Sequence, residues 1–350
     1  MTTNAGLKVL ALGDSVDSGM LGSYARAFES LGHSVQRWHL ADAIDRHVRG
    51  GRLGRQVARY LPVEVWVNKA NRELVVEAIT SRPDVVLVPG QVHVRAGALA
   101  QIKVSVPGAR LVLLWPDPLQ NLATHVLECL PLYDLVGSYS SEAMGILRRL
   151  GARNVEFLPF GADPTAFPPG AVPSAEERRR LRCDVSFLGT YRPEREDDVA
   201  ALVRAGLSVK VWGPDWERFT RDRRVVGPCL QGSVLLGADL VRAAKCSGVT
   251  LNRIDDTNFP AANMRFFEAL ACDVPVLNSS CPEMEQTFPD GVLTFYYRGK
   301  NQLVERIREL LADRDRLARV SHAGHVAALA AHTYEHRAST LLRALERVEV

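Results

Sequence analysis

The chain has 350 residues, 47% of them hydrophobic and 24% charged, and carries a formal net charge of +3 at pH 7. That length predicts two domains and that apolar content a real core, while the near balance of charge excludes the strongly basic face of a nucleic-acid binder. The six cysteines, Cys129, Cys183, Cys229, Cys246, Cys272 and Cys281, form no CxxC and sit mostly in apolar surroundings, which argues against a disulfide framework.

The first residues, Met1-Thr2-Thr3-Asn4-Ala5-Gly6, lack the basic region and long apolar run of a signal peptide. No stretch reaches the roughly 18 apolar residues of a membrane helix, so the expectation is a cytoplasmic protein without a transmembrane segment.

In chain order, residues 7–13 read as a buried strand, followed by a Gly/Ser-rich loop from Gly13 to Gly22 and an amphipathic helix over 23–31 closed by Gly32. Further strands are predicted over 34–40, 84–89, 110–115, 134–137 and 155–159, with helical patterns between them. Residues 162–182 break this rhythm with Pro164, Pro168, Pro169 and Pro173 and then a charged run, which reads as a linker over 166–182 ending in a solvated helix. A second series follows, with strands at 184–189, 208–213, 249–252, 274–277 and 292–296, and helices at 193–205, 238–246 and 264–272. The tail from 301 to 350 is almost wholly helical. Apolar strands alternating with helices predict parallel sheets covered on both faces. The fold class is therefore α/β, with two doubly wound domains facing each other across a cleft. One spans 1–165 and the other 183–332, and a C-terminal helix, 333–350, packs back toward the first. Ligands of such sheets bind beyond the carboxyl ends of the strands.

The most informative segment is Asn263-Met264-Arg265-Phe266-Phe267-Glu268-Ala269, which runs on through Cys272-Asp273-Val274-Pro275-Val276. Asn263 is a good N-cap, so the amides of the first turn are available to hold a diphosphate. Arg265 adds a multi-donor cation in that turn, and Glu268 is an acceptor suited to two ribose hydroxyls. The alternative is an ordinary amphipathic helix with Glu268 facing water.

This segment resembles the C-terminal signature of retaining GT-B glycosyltransferases of family 4, closest to the spore-maturation CgeB-like branch, with its Asn-x-Arg-x-Phe-Glu-Ala pattern and following Cys-Gly-x-Pro-Val turn. Three other stretches are similar to the same branch. They are Asp184-Val185-Ser186-Phe187-Leu188-Gly189-Thr190-Tyr191-Arg192-Pro193-Glu194-Arg195, Val209-Lys210-Val211-Trp212-Gly213-Pro214-Asp215-Trp216 and His332-Thr333-Tyr334-Glu335-His336-Arg337-Ala338. The resemblance is strong over 184–340 and weaker over 7–165. It implies that Glu268 binds ribose and that Asn263, Met264 and Arg265 face the diphosphate or donor sugar. It also implies that Gly189 and Thr190 let the backbone approach phosphate, which Arg195 or Arg192 neutralises, and that Gly213 and Trp216 line the base pocket. Trp216 reads equally as core, and the two arginines as a solvated helix start. Two departures stand out: Pro260 occupies the place of the family's first Glu, and Asp273 replaces a Gly.

The first domain is expected to hold the acceptor: a natural product, a glycan, a lipid or a protein. Asp117, in Leu114-Trp115-Pro116-Asp117-Pro118, is positioned to orient or deprotonate an acceptor hydroxyl, or else caps a helix over 119–130. Asp117 and Arg265 are the catalytic candidates, and His93 is a weaker one. The Gly13–Gly22 loop lacks GxGxxG, so dinucleotide binding is poorly supported.

Two metal-like patterns are set aside. His332-Thr333-Tyr334-Glu335-His336 matches HxxEH but has no third ligand nearby, and Asp313-Arg314-Asp315 matches DxD but falls where a helix cap explains it. Cys272 has no suitably spaced His to make it a thiolate nucleophile. Arg178-Arg179-Arg180 reads as a solvated face or as a contact with an anionic acceptor or membrane surface. The expected activity is transfer of a sugar from a nucleotide-diphosphate-sugar, with retention and with neither metal nor cofactor. The alternatives are a non-catalytic nucleotide-sugar binder and a GT-B-fold epimerase. A phosphorylase would need a pyridoxal-lysine setting that the chain does not show.

Overall fold

The computed structural model describes residues 6–13, 19–48, 51, 53–54, 63–90, 92–232 and 234–348. The chain divides into two compact units, one of Met1–Phe160 with Tyr334–Val350 and the other of Gly161–Thr333.

The first unit runs β1 (Lys8–Leu12), α1 (Met20–Ser30), β2 (Ser34–Trp38), α2 (Leu40–His47), α3 (Glu64–Ser81), β3 (Val85–Pro89), α4 (Ala96–Ser105), β4 (Arg110–Trp115), α5 (Thr124–Cys129), β5 (Leu135–Ser138), α6 (Ser141–Arg149) and β6 (Val155–Phe157). The strands form one parallel sheet in the order β2-β1-β3-β4-β5-β6. Alternate residues of each strand feed two cores. Leu10, Leu12, Val86, Val88, Leu111 and Leu113 point to one face, and Val9, Ala11, Val85, Leu87, Val112 and Leu114 to the other. This is why the strands read as unbroken apolar runs. Asp14–Ser18 of the Gly/Ser-rich loop lie outside the described residues. The helix expected over 119–130 is interrupted: Leu119–Asn121 forms a 3-10 turn, and extended Leu122 and Ala123 separate it from α5.

The second unit runs α7 (Ala175–Leu181), β7 (Cys183–Leu188), α8 (Pro193–Arg204), β8 (Val209–Trp212), α9 (Trp216–Phe219), α10 (Gly237–Lys245), β9 (Ser247–Asn252), α11 (Met264–Ala271), β10 (Val276–Ser279), α12 (Pro282–Glu285), β11 (Phe295–Tyr297), α13 (Lys300–Ala312) and α14 (Arg314–Ala331). Its parallel sheet has the order β11-β10-β9-β7-β8. α7 begins with a capping box in which Ser174 accepts from the Glu177 amide and Glu177 accepts from the Ser174 amide. Its Glu177 is bonded to Arg242 of α10 at 3.0 Å, so the segment expected as a linker is held on this unit. The strand expected from 292 begins at Phe295, because residues 289–294 form a turn closed by the Gly291 amide on the Thr294 carbonyl at 2.8 Å.

The closing helix α15 (Tyr334–Glu346) belongs to the first unit. Tyr334 meets Tyr24 of α1 edge to face at 5.1 Å, and Ala338 and Leu341 are buried on the β1 side of the sheet. The Arg337 guanidinium is buried and donates to the carbonyls of Pro159 and Phe160.

Candidate functional site

α11 is fixed at both ends. At its start, Asn263 is extended (φ −88°, ψ 171°) and its Oδ1 accepts the Phe266 amide at 3.1 Å. Asn263 is itself held by a side-chain ladder that crosses the carboxyl ends of β9 and β10 and reaches the residue before β11. Asn252, the last residue of β9, exchanges two amide bonds with Asn263 at 3.1 and 3.0 Å. It also donates to Asn278 of β10 at 2.8 Å, and Asn278 donates to Thr294 before β11 at 3.0 Å. Asn252, Asn278 and Thr294 are all buried, so the ladder satisfies polar groups that water does not reach.

At its end, His325 of α14 donates Nδ1–H to the Leu270 carbonyl at 2.7 Å, satisfying a terminal acceptor. α14 lies close because Gly324 has no side chain: a Cβ there would stand 1.9 Å from the Leu293 carbonyl oxygen. Asp273 takes the left-handed conformation (φ 54°) and meets His322 at 3.1 Å. The turn thus keeps the geometry that a Gly would adopt, in a residue that tolerates it.

Between these clamps the amides of Met264 and Arg265 have no intrahelical acceptor and face the carboxyl edge of the sheet, where the helix dipole favours an anion. Arg265 and Glu268 lie one turn apart with Nη1 and Oε2 at 2.5 Å, yet the pair lacks hydrogen-bonding alignment. Glu268 is buried, so it does not face water as the ordinary amphipathic-helix alternative required. Burial pushes its carboxyl above the usual range, and the Arg265 charge opposes that shift.

The loops after β7 and β8 form the other side of the site. Gly213 (φ 151°) sits directly against Gly189: a Cβ on Gly213 would lie 2.0 Å from the Gly189 carbonyl oxygen. That same oxygen accepts the Trp216 indole at 2.8 Å. Trp216 packs edge to face on Phe187 and Tyr191, and it is core. Gly213→Ala is expected to destabilise the second domain by about 3 kcal/mol, since backbone must move and the φ is strained. Urea unfolding checks this.

Arg195 is not the solvated helix start that its sequence position allowed. Its side chain is 11% exposed, donates to the Thr190 carbonyl at 2.8 Å and pairs with Asp255 at 2.9 Å. Burial holds its pKa below the usual arginine range, Asp255 opposes this, and the Arg192 and Arg265 charges lower it further. Arg192 is the exposed member, 59% accessible and 3.7 Å from Asp255. Sequence reasoning missed Asn252, Asn278 and Asp255. A lone Asn closing an apolar strand, in Val249-Thr250-Leu251-Asn252 and Val276-Leu277-Asn278, was the available signal.

Pro260 follows a cis peptide and is buried, with its carbonyl accepting the Glu283 amide at 3.3 Å. Asp117 lies in the other domain, just past β4 and partly buried. Pro118, not Asp117, holds the capping position before Leu119. His93 packs on His125 with ring centroids 4.6 Å apart. Burial, aided by the His125 and Arg95 charges and opposed by Glu64, lowers its pKa. Asp313 caps α14 by accepting the Arg316 amide at 2.9 Å, and His332 packs on Phe288. Among the described residues no group of three or more His, Cys, Asp or Glu is placed to hold a metal. All six cysteines are free thiols; burial raises that of Cys272 to about 12.

The chain superposes on solved structures over nearly its full length. Sucrose-phosphate synthase from Thermosynechococcus elongatus aligns with a TM-score of 0.66 at 14% identity, over 97% of this chain and 98% of that one. HepE from Anabaena, solved with UDP-glucose, aligns with a TM-score of 0.66 at 14% identity, over 97% and 99%. Trehalose 6-phosphate synthase from Burkholderia multivorans aligns at 0.62 and 13%, over 98% and 99%. No curated protein matches the chain in sequence. Residues 195–343, which carry Arg195, Gly213 and all of α11, match the family described as glycosyl transferase-like. The chain has the GT-B fold.

The matched region carries the ladder, the capped helix and the Arg265–Glu268 pair. Among the described residues no helix is long and apolar enough to cross a membrane.

Proposed function

We propose that the enzyme takes a glycosyl group from a nucleotide-diphosphate-sugar and passes it to an acceptor hydroxyl, with retention and without a metal ion. The observation that carries this reading is α11, whose capped start and Arg265–Glu268 pair lie at the carboxyl edge of the sheet. In this reading the amides of Met264 and Arg265 bind the diphosphate, and the Arg265 side chain stabilises the charge that develops as the bond to the sugar breaks. Glu268 accepts from the ribose hydroxyls. Arg195 holds the Gly189–Thr190 loop against the donor, and exposed Arg192 reaches the phosphates. That HepE is solved with UDP-glucose supports a uridine donor.

The resemblance to the family 4 and CgeB-like signature supports retention, and Pro260 in place of the family's first Glu assigns contact with the transferred sugar to other residues. Acceptor binding falls to the first domain, where Asp117 orients the hydroxyl. The acceptor class, whether natural product, glycan, lipid or protein, is read from the products. A panel of UDP-, GDP- and TDP-sugars tests the proposal by thermal shift. A UDP-sugar is expected to raise the melting temperature by at least about 3 °C at 100 times its dissociation constant. EDTA is expected to leave turnover unchanged. A panel that stabilises nothing and yields no transfer contradicts the reading.

A further inference from the structure

The same domain carries a second cationic feature, at the opposite edge of its sheet. Around the starts of β7 and β9 lies a groove of about 830 Å³, a size suited to a small ligand. Arg178, Arg179 and Arg182 from α7 and its end, Lys245 from the end of α10, and Arg314 from the start of α14 line it. These five cations come from three separate helices. The four arginines are exposed, and among the described residues none of them pairs with a carboxylate. The Lys245 ammonium donates to the Pro169 carbonyl.

One acid, Asp184, lines the groove, and its Oδ2 is taken by the Ser208 amide at 2.9 Å and the Ser208 hydroxyl at 2.7 Å. Nearby Glu177 is held by Arg242 and by the Ser174 cap. The wall therefore keeps its positive charge.

Helix dipoles explain part of this arrangement, since cations are favoured in the last turns of α7 and α10. They do not explain Arg182, which lies past its helix, or Arg314, which sits in the first turn of α14, where the dipole disfavours a cation. Arg314 nevertheless reaches in over β9 at Gly248, where an added Cβ would come within 3.1 Å of its Nη1 and 2.8 Å of the Asp184 carbonyl oxygen. Planar, multi-donor guanidiniums converging on one concavity match the geometry of phosphate oxygens.

We infer that this groove binds a ligand bearing two or more phosphate groups, at a site separate from the donor site. The inference does not rest on the donor assignment. β7 separates the two places, running from Cys183 at the groove to Leu188 beside Gly189.

The probe is inorganic tripolyphosphate, titrated calorimetrically into the full-length protein at low and high salt. Wild type is expected to bind with an affinity that falls steeply as salt rises. A variant carrying Arg179→Glu, Arg182→Glu and Arg314→Glu is expected to bind at least 10-fold more weakly, and a milder set with Gln at those positions to lie between. Arg265→Ala, at the donor helix, is expected to leave in place the part of the titration that the groove substitutions remove. Sedimentation with phosphatidylglycerol vesicles, against phosphatidylcholine, separates the sources. Groove-dependent pelleting assigns a lipid headgroup, and tripolyphosphate binding without pelleting assigns a soluble phosphate compound. Equal tripolyphosphate affinity in wild type and in the folded Glu variant overturns the inference, as does weakening by Arg265→Ala in place of the groove substitutions.

Discussion

Glu268→Ala is expected to weaken nucleotide-sugar binding about 100-fold while the protein stays folded. Two hydrogen bonds from ribose hydroxyls to a buried carboxylate are each worth about 1.5–3 kcal/mol, so losing both accounts for two orders of magnitude. The fold survives because Glu268 contributes little to stability. Burial disfavours its charge, as the upward shift of its pKa shows, and Arg265 repays only part of that. Arg265, 21% exposed, can turn to water once its partner is gone. Glu268→Gln keeps one acceptor oxygen and is expected to fall between wild type and Ala.

The raised pKa also sets a pH dependence. Folded Glu268 takes up its proton at a higher pH than an exposed glutamate does. Acidification through that range removes the acceptor charge, and donor affinity falls before ordinary carboxylates titrate. Stability moves the other way: the native state holds this proton where the unfolded chain does not, so this group's contribution is lost as pH rises through the same window. Isothermal titration with the preferred nucleotide across pH, in wild type and Glu268→Gln, checks the assignment, and the Gln variant is expected to lack the acid-side loss.

Asn252→Leu is expected to cost about 3 kcal/mol of stability and to lower the melting temperature by about 10 °C. The leucine strands the Oδ1 of fully buried Asn278 and both amide bonds of Asn263. Each buried group left without a partner costs about 1–3 kcal/mol. The Asn263 cap loosens as well, so donor affinity is expected to fall about 10-fold even where the protein is folded, at about 1 kcal/mol for a weakened cap. Thr294→Val, at the far end of the ladder, removes one partner of Asn278 and is expected to cost about 1 kcal/mol with donor affinity unchanged. Thermal melts and nucleotide titration of both variants separate a positioning role from a merely structural one.

The strands were legible because they are buried on both faces, so runs such as Val85-Val86-Leu87-Val88 need no alternation to be read. The α11 cap was legible because Asn263 precedes an apolar helical stretch, and capping is a local property. What was not legible is contact between distant residues. Nothing local in Asn252, Asn263 and Asn278 says that their amides meet, since strand order alone brings them together. Arg195 sits among charged residues at a helix start, and only the return of the chain at Asp255 reveals that it is buried and paired. The resemblance gives Gly213 as a pocket residue. Its requirement is a backbone approach to Gly189, set by the packing of adjacent strands β7 and β8.

The most direct measurement is a crystal structure with the nucleoside diphosphate that gives the largest thermal shift. The diphosphate is expected within hydrogen-bonding distance of the Met264 and Arg265 amides, with both ribose hydroxyls on Glu268. Nucleotide bound elsewhere, or α11 in contact with neither phosphate nor ribose, would contradict the account.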